Sequence, residues 1–221
     1  MHIPDGYLGP ITFSSLWAMM LPIWYLAGRL IRKGIDMAKT PLVALAGAFS
    51  FVIMMFNVPI PGGTTGHATG ATLIAILLGP WTAMMAVSIA LIIQAVLFGD
   101  GGITAIGANC FNMAFAEVMV GYGAYRLIKG KGDGKREGIA AGIGSYLGIN
   151  IAALLTAIEL GIQPLLHTGS DGRPIYSPFP LTITIPAIMI EHLLIFGFVE
   201  ALITILVLVY IRKKGIQFQG R

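Results

Sequence analysis

The sequence predicts an all-α integral membrane protein, a single domain over residues 1–221 with seven transmembrane helices, N-terminus outside and C-terminus cytoplasmic. Three observations carry that prediction. First, 56% of the residues are hydrophobic and only 11% are charged, against roughly 25% charged in a soluble domain. Such a chain lacks the polar surface to remain in water. Second, apolar runs of membrane-spanning length recur from end to end. Third, Lys and Arg cluster where the positive-inside rule expects them in a seven-span chain.

The elements follow in order. Residues 1–7, within "MHIPDGYL", form a polar leader in which Pro4 stiffens the backbone and Asp5-Gly6 turns it. The leader has no basic region, and the apolar run behind it is too long for a secretory signal and lacks a small-residue cleavage site. The bulky His2 discourages removal of the initiator, so Met1 is expected to start the mature chain with a free amine. Spans are expected at about 8–31, 41–60, 64–79, 81–98, 103–128, 138–163 and 185–212. The third is short. At ~1.5 Å per residue it covers about 24 Å of a ~30 Å hydrocarbon layer, so the glycine-rich "PGGTTGHATG" that feeds it must dip into the membrane.

Charge placement fixes the orientation. Arg29, Arg32, Lys33 and Lys39 follow the first span. Arg126, Lys129, Lys131, Lys135 and Arg136 follow the fifth, and Arg212, Lys213, Lys214 and Arg221 follow the seventh. Only Arg173, of 14 Lys and Arg, falls on the other side. The net charge of +4 is thus a topology signature, which disfavours nucleic-acid binding. The single cysteine, Cys110, excludes an internal disulfide framework and a multi-cysteine metal cluster.

Ionisable and amide groups inside spans are functional candidates. Here they are His67, Asn109, Asn112, Glu117, Glu159, Glu191, His192 and Glu200. For the glutamates and His192, bonding to a neighbouring helix is the simpler role. The two asparagines, three apart on one helix face, suit helix–helix bonding as well as ligand orientation. His167 reads as a solvated loop residue. His67 differs, because glycines and threonines bare the backbone around it, and such backbone at membrane depth belongs beside a cavity.

The leader itself carries chelating chemistry. A free α-amine, the second-residue amide nitrogen and Nδ1 of a histidine at that position close fused five- and six-membered rings on one metal. His67 is the best-placed imidazole to supply a fourth nitrogen. Four coplanar nitrogens suit Ni(II) or Cu(II) better than Zn(II) or Mg(II).

"MHIPDGYL" at the N-terminus, combined with "GGTTGHATG" some sixty residues on, closely resembles the NikM/CbiM family over the whole chain. The family comprises the substrate-capture (S) components of energy-coupling-factor (ECF) transporters for nickel and cobalt. The resemblance implies a six-helix core with an added N-terminal helix, and no enzymatic activity of its own. It also implies a metal site at Met1, His2 and His67. It implies partners as well: a transmembrane coupling (T) subunit, cytosolic ATP-binding subunits and a small membrane accessory subunit, in a prokaryotic plasma membrane. "MHIPDG", where cobalt members tend to read "MHIMEG", favours Ni(II) over Co(II) as the transported substrate. No G-x-x-x-x-G-K-[ST] occurs, so ATP hydrolysis is expected elsewhere. In the family the coupling subunit packs on small residues of the first core helix, here Ala44 and Ala48. Two other classes compete. A stand-alone cation channel or carrier would use the intramembrane glutamates as a relay. A membrane metalloenzyme is disfavoured because H-E-x-x-H is absent.

Overall fold

The protein is described by a computed structural model covering residues 1–32, 40–60, 64–132 and 134–215. Lys33, Lys39, Gly62, Gly63 and Arg221 lie outside the described residues. The described chain is mostly helical. The rods are α1 (Pro10–Arg32), α2 (Thr40–Met54), α3 (Ala71–Leu78), α4 (Pro80–Phe98), α5 (106–129), α6 (Lys135–Leu166) and α7 (Leu181–Lys213). Of these, α1, α4, α6 and α7 are long and apolar enough to cross a membrane, and α2 is a shorter apolar helix.

Boundaries differ most at the third expected span. Helix α3 is only eight residues long, from Ala71, about 12 Å of rise. The preceding segment is extended. Strand β2 (Thr64–Gly66) pairs antiparallel with β1 (Val58–Ile60), in register Val58↔Gly66. The expected second span, 41–60, accordingly ends as helix at Met54. The cause is local. Thr64 and Thr65 are β-branched, and Gly70 sits at φ +69° with an ideal Cβ only 2.6 Å from the Phe49 ring, a place only glycine fills. Helix α7 starts at Leu181 rather than 185, and α6 runs from 135 to 166 rather than 138 to 163.

Three rods carry π-helical turns. Gln94–Phe98 ends α4, Cys110–Ala116 interrupts α5, and His192–Phe196 interrupts α7. Such single-turn expansions recur at functional sites. Helix α6 packs against both α5 and α7. Its glycines admit α5 closely, since a Cβ on Gly144 would stand 2.6 Å from the Gly121 carbonyl oxygen. Helix α1 lies against α4 and α5, pinned by Trp17 Nε1 donating to the Thr104 carbonyl at 2.8 Å and Trp24 Nε1 to Ser88 at 2.9 Å.

Candidate functional site

The leader folds back into the bundle. Met1 and Ile3 are fully buried and His2 is 4% exposed, so the first three residues occupy interior space usually given to core side chains. Polar backbone placed there must find partners, and α5, α6 and the connecting loops supply them. Asn109 of α5 closes a two-bond ring with Ile3, accepting from its N–H at 2.9 Å and donating to its carbonyl at 3.1 Å. Gly102 N–H also donates to the Ile3 carbonyl, at 2.8 Å. Asp5 caps the start of the next segment by accepting the N–H groups of Ile103 (3.0 Å) and Thr104 (2.9 Å). Burial alone would raise the Asp5 carboxyl, but these bonds hold it below its ordinary value. Gly6 turns the chain at φ +84°. Ser177 N–H donates to the Tyr7 carbonyl, and Gly9 N–H donates to Gln163 Oε1 at 2.9 Å.

This packing puts four nitrogen-bearing groups in one place. The Met1 amine donates to the Thr65 carbonyl on β2. The His2 ring stacks on His67, centroids 4.6 Å apart and planes 28° from parallel. Gln94 of α4 meets His2 Nε2 at 3.2 Å, and Asp100 approaches His2 Nδ1 at 3.5 Å. Asn57 in turn donates to Asp100. His67 is fully buried, with Nδ1 held by the Ala68 carbonyl at 3.1 Å, while its Nε2 has no hydrogen-bond partner among the described residues. Burial pushes the Met1 amine down to about 4 and the His2 imidazole down to about 3. Both are therefore neutral at pH 7, with lone pairs available to a metal.

The segment bearing His67 is held from the inner side by the two glutamates that the sequence suggested as helix–helix glue. Glu200 of α7 accepts the N–H of Thr69 (2.8 Å) and of Gly70 (3.0 Å), placing a carboxylate at the N-terminus of α3. Thr69 donates its hydroxyl to Glu117 and accepts Ala71 N–H at 3.1 Å. Glu117 and Glu200 thus bond the extended loop rather than simply bridging rods. Ser50 of α2 adds a bond to the Thr69 carbonyl at 2.8 Å.

The remaining candidates separate. The asparagines share no partner: Asn109 serves the leader, whereas Asn112 donates to Glu159 (2.8 Å) and Thr156 (3.2 Å) on α6. His192 is buried, with Nδ1 on the Ile188 carbonyl and its ring 5.2 Å from Phe196, whose own ring packs on Gly66. Glu191 is half-buried. His167 is not a solvated residue. Its ring covers Gly9 so closely that a Cβ there would lie 2.2 Å away, and it meets Tyr176 edge-on. Reasoning from sequence missed Gln94, Asp100 and Thr65, whose only signal was polarity in otherwise apolar or glycine-rich runs.

Comparisons with known proteins agree in kind. Residues 2–217 match the family model CbiM, the cobalt uptake substrate-specific transmembrane region. The chain is 50% identical over 217 residues to a fused nickel transport protein, NikMN, of Rhodobacter capsulatus, covering 97% of this chain but 62% of that relative. It is 40% identical over 165 residues to a cobalt transport protein, CbiM, of Acetohalobium arabaticum, covering 72% of this chain and 64% of that one. The chain therefore spans under two thirds of these relatives' length. A crystal structure of a truncated transition metal transporter superposes with a TM-score of 0.94 at 52% identity, over 97% of this chain and 99% of the other.

Proposed function

Because the chain belongs to the CbiM family of substrate-specific transmembrane regions, we propose that it is the metal-capture subunit of an ECF-type uptake transporter, with Ni(II) as its substrate. One observation carries the reading. The leader is folded into the bundle so that a neutral amine, the His2 amide and imidazole, and the unpartnered His67 Nε2 share one buried site. Met1, His2 and His67 are the proposed donors. Gln94 holds His2 through Nε2, the ring nitrogen that a fused chelate does not use. In this structure the two imidazoles stack rather than meet edge to edge, so capture requires them to turn toward a common point.

Nickel is favoured by the planar nitrogen set and by relatives named for nickel transport. Co(II) is the second reading, supported by the family's own description and by relatives named for cobalt transport. Seven crossings are proposed, with the leader outside. Among the described residues, every Lys and Arg except Arg173 follows a rod that ends away from the leader. Release into the cell is assigned to a coupling subunit and ATPases. The exposed face of α2, where Ala44 and Ala48 sit a turn apart, is suited to close helix approach. Proteoliposomes test this. Nickel should accumulate only with the coupling subunit, ATPases and ATP present, whereas flux through the purified chain alone would favour a channel or carrier.

A further inference from the structure

At the end of the bundle away from the leader, α6 and α7 part around a cavity of about 840 Å³, within the ~300–1,000 Å³ typical of ligand sites. Its walls are apolar: Ile139 on α6, and Ile205, Leu208 and Val209 on α7. Ile139 is 58% and Val209 40% exposed, so this wall is unfinished by the protein itself. Lys135, Arg212 and Lys213 stand along the same cavity. Glu137 is the acidic residue there, and its Oε1 already accepts from Tyr125 Oη (3.0 Å), Lys129 Nζ (3.1 Å) and Arg212 Nη2 (2.7 Å). Among the described residues the rim therefore keeps a surplus of positive charge.

An apolar interior under a cationic rim is unsuited to a free phosphate or sugar phosphate, which would leave the walls wet. It fits an amphiphile with an acyl chain and an anionic head. Basic pockets between membrane helices recognise anionic headgroups in this way, each nearby lysine adding to the attraction. We propose that this groove binds one anionic phospholipid, its acyl chain against Ile139, Ile205, Leu208 and Val209 and its phosphodiester beside Lys135 and Lys213. The site is independent of the leader and its metal chemistry.

Two variants test it by separate routes. An ideal Cβ at Gly138, on the cavity lining, meets nothing within 4 Å, so a side chain can be started there, and Gly138→Leu is expected to occupy the groove at a position where helix propensity improves. Lys135→Ala combined with Lys213→Ala strips the rim and leaves the groove open. The full chain is reconstituted in nanodiscs of equal phosphatidylglycerol and phosphatidylcholine, and retained lipid is read by native mass spectrometry. Wild type is expected to retain phosphatidylglycerol preferentially. Gly138→Leu should lose the retained lipid, and the double lysine variant should lose on the order of tenfold of the preference. Excess inorganic phosphate should displace nothing. Equal retention of both lipids by wild type, an unchanged preference in either variant, or displacement by phosphate overturns the proposal. If one variant fails to fold, the other still decides.

Discussion

Replacing Asn109 by alanine removes the side chain that both accepts from the Ile3 N–H and donates to the Ile3 carbonyl. The two ends of that ring are not equally costly. The Ile3 carbonyl keeps the Gly102 N–H at 2.8 Å, whereas among the described residues its N–H donates to Asn109 alone, and Ile3 is fully buried. Leaving one buried donor unsatisfied costs about 1–3 kcal/mol. In the proposed function the docked leader is the metal-binding state, so this cost should appear as lost nickel affinity, roughly 5- to 150-fold. The assay is competition against a chromophoric chelator at fixed pH, on protein with an unmodified N-terminus. Asn112→Ala is the matched control. It breaks bonds to Glu159 and Thr156 within the bundle and touches no leader residue, so it should lower thermal stability and leave nickel affinity alone. The reasoning is refuted if Asn109→Ala binds like wild type, or if both variants weaken binding equally.

Three further outcomes are expected. Gln94→Leu should weaken nickel binding about 10- to 100-fold by releasing His2 Nε2, with Gln94→Glu restoring most of it in the same titration. Affinity should fall with pH, because burial holds the Met1 amine at about 4 and His2 at about 3, against 8.0 and 6.5 in water. The undocked leader binds protons that the docked one rejects, so docking is lost as pH falls through 8.0 and then 6.5, roughly three decades between pH 7.5 and 5.5. A flat calorimetric profile over that range would point to carboxylate ligands. One residue added before Met1 should preserve some nickel affinity, through an amine, two amides and an imidazole, yet abolish its dependence on His67. A tagged chain whose binding still requires His67 would remove the amine from the site.

The rods were legible because their signal is local: long apolar runs punctuated by charge at alternate ends. His67 was legible too, because glycines at 66 and 70 and threonines at 64 and 65 announce backbone that cannot be helix. The halving of α3 was not, since the apolar residues that follow read as one span with the segment before them. The leader's nitrogen-bearing groups can be read from "MHI", but its anchors cannot. Asn109, Gln94 and Gln163 lie some 90 to 150 residues from the groups they bind, and nothing in their own neighbourhoods distinguishes Asn109 from Asn112. The π-helical segment begins at Cys110, just after Asn109, and contains Asn112, which breaks the shared face that regular helical spacing implies. The partners of Glu117 and Glu200 were illegible for a related reason. A carboxylate aimed at backbone N–H groups 48 and 131 residues away leaves no pattern in sequence.

The central claim is that one metal sits on nitrogens from Met1, His2 and His67. Metal content and visible absorption of protein purified with Met1 as its first residue test it most directly. The account predicts one Ni(II) per chain, diamagnetic, with the absorption of a planar four-nitrogen complex that His67→Ala alters or abolishes. A paramagnetic, octahedral nickel centre, or a spectrum and affinity unchanged in His67→Ala, would contradict it.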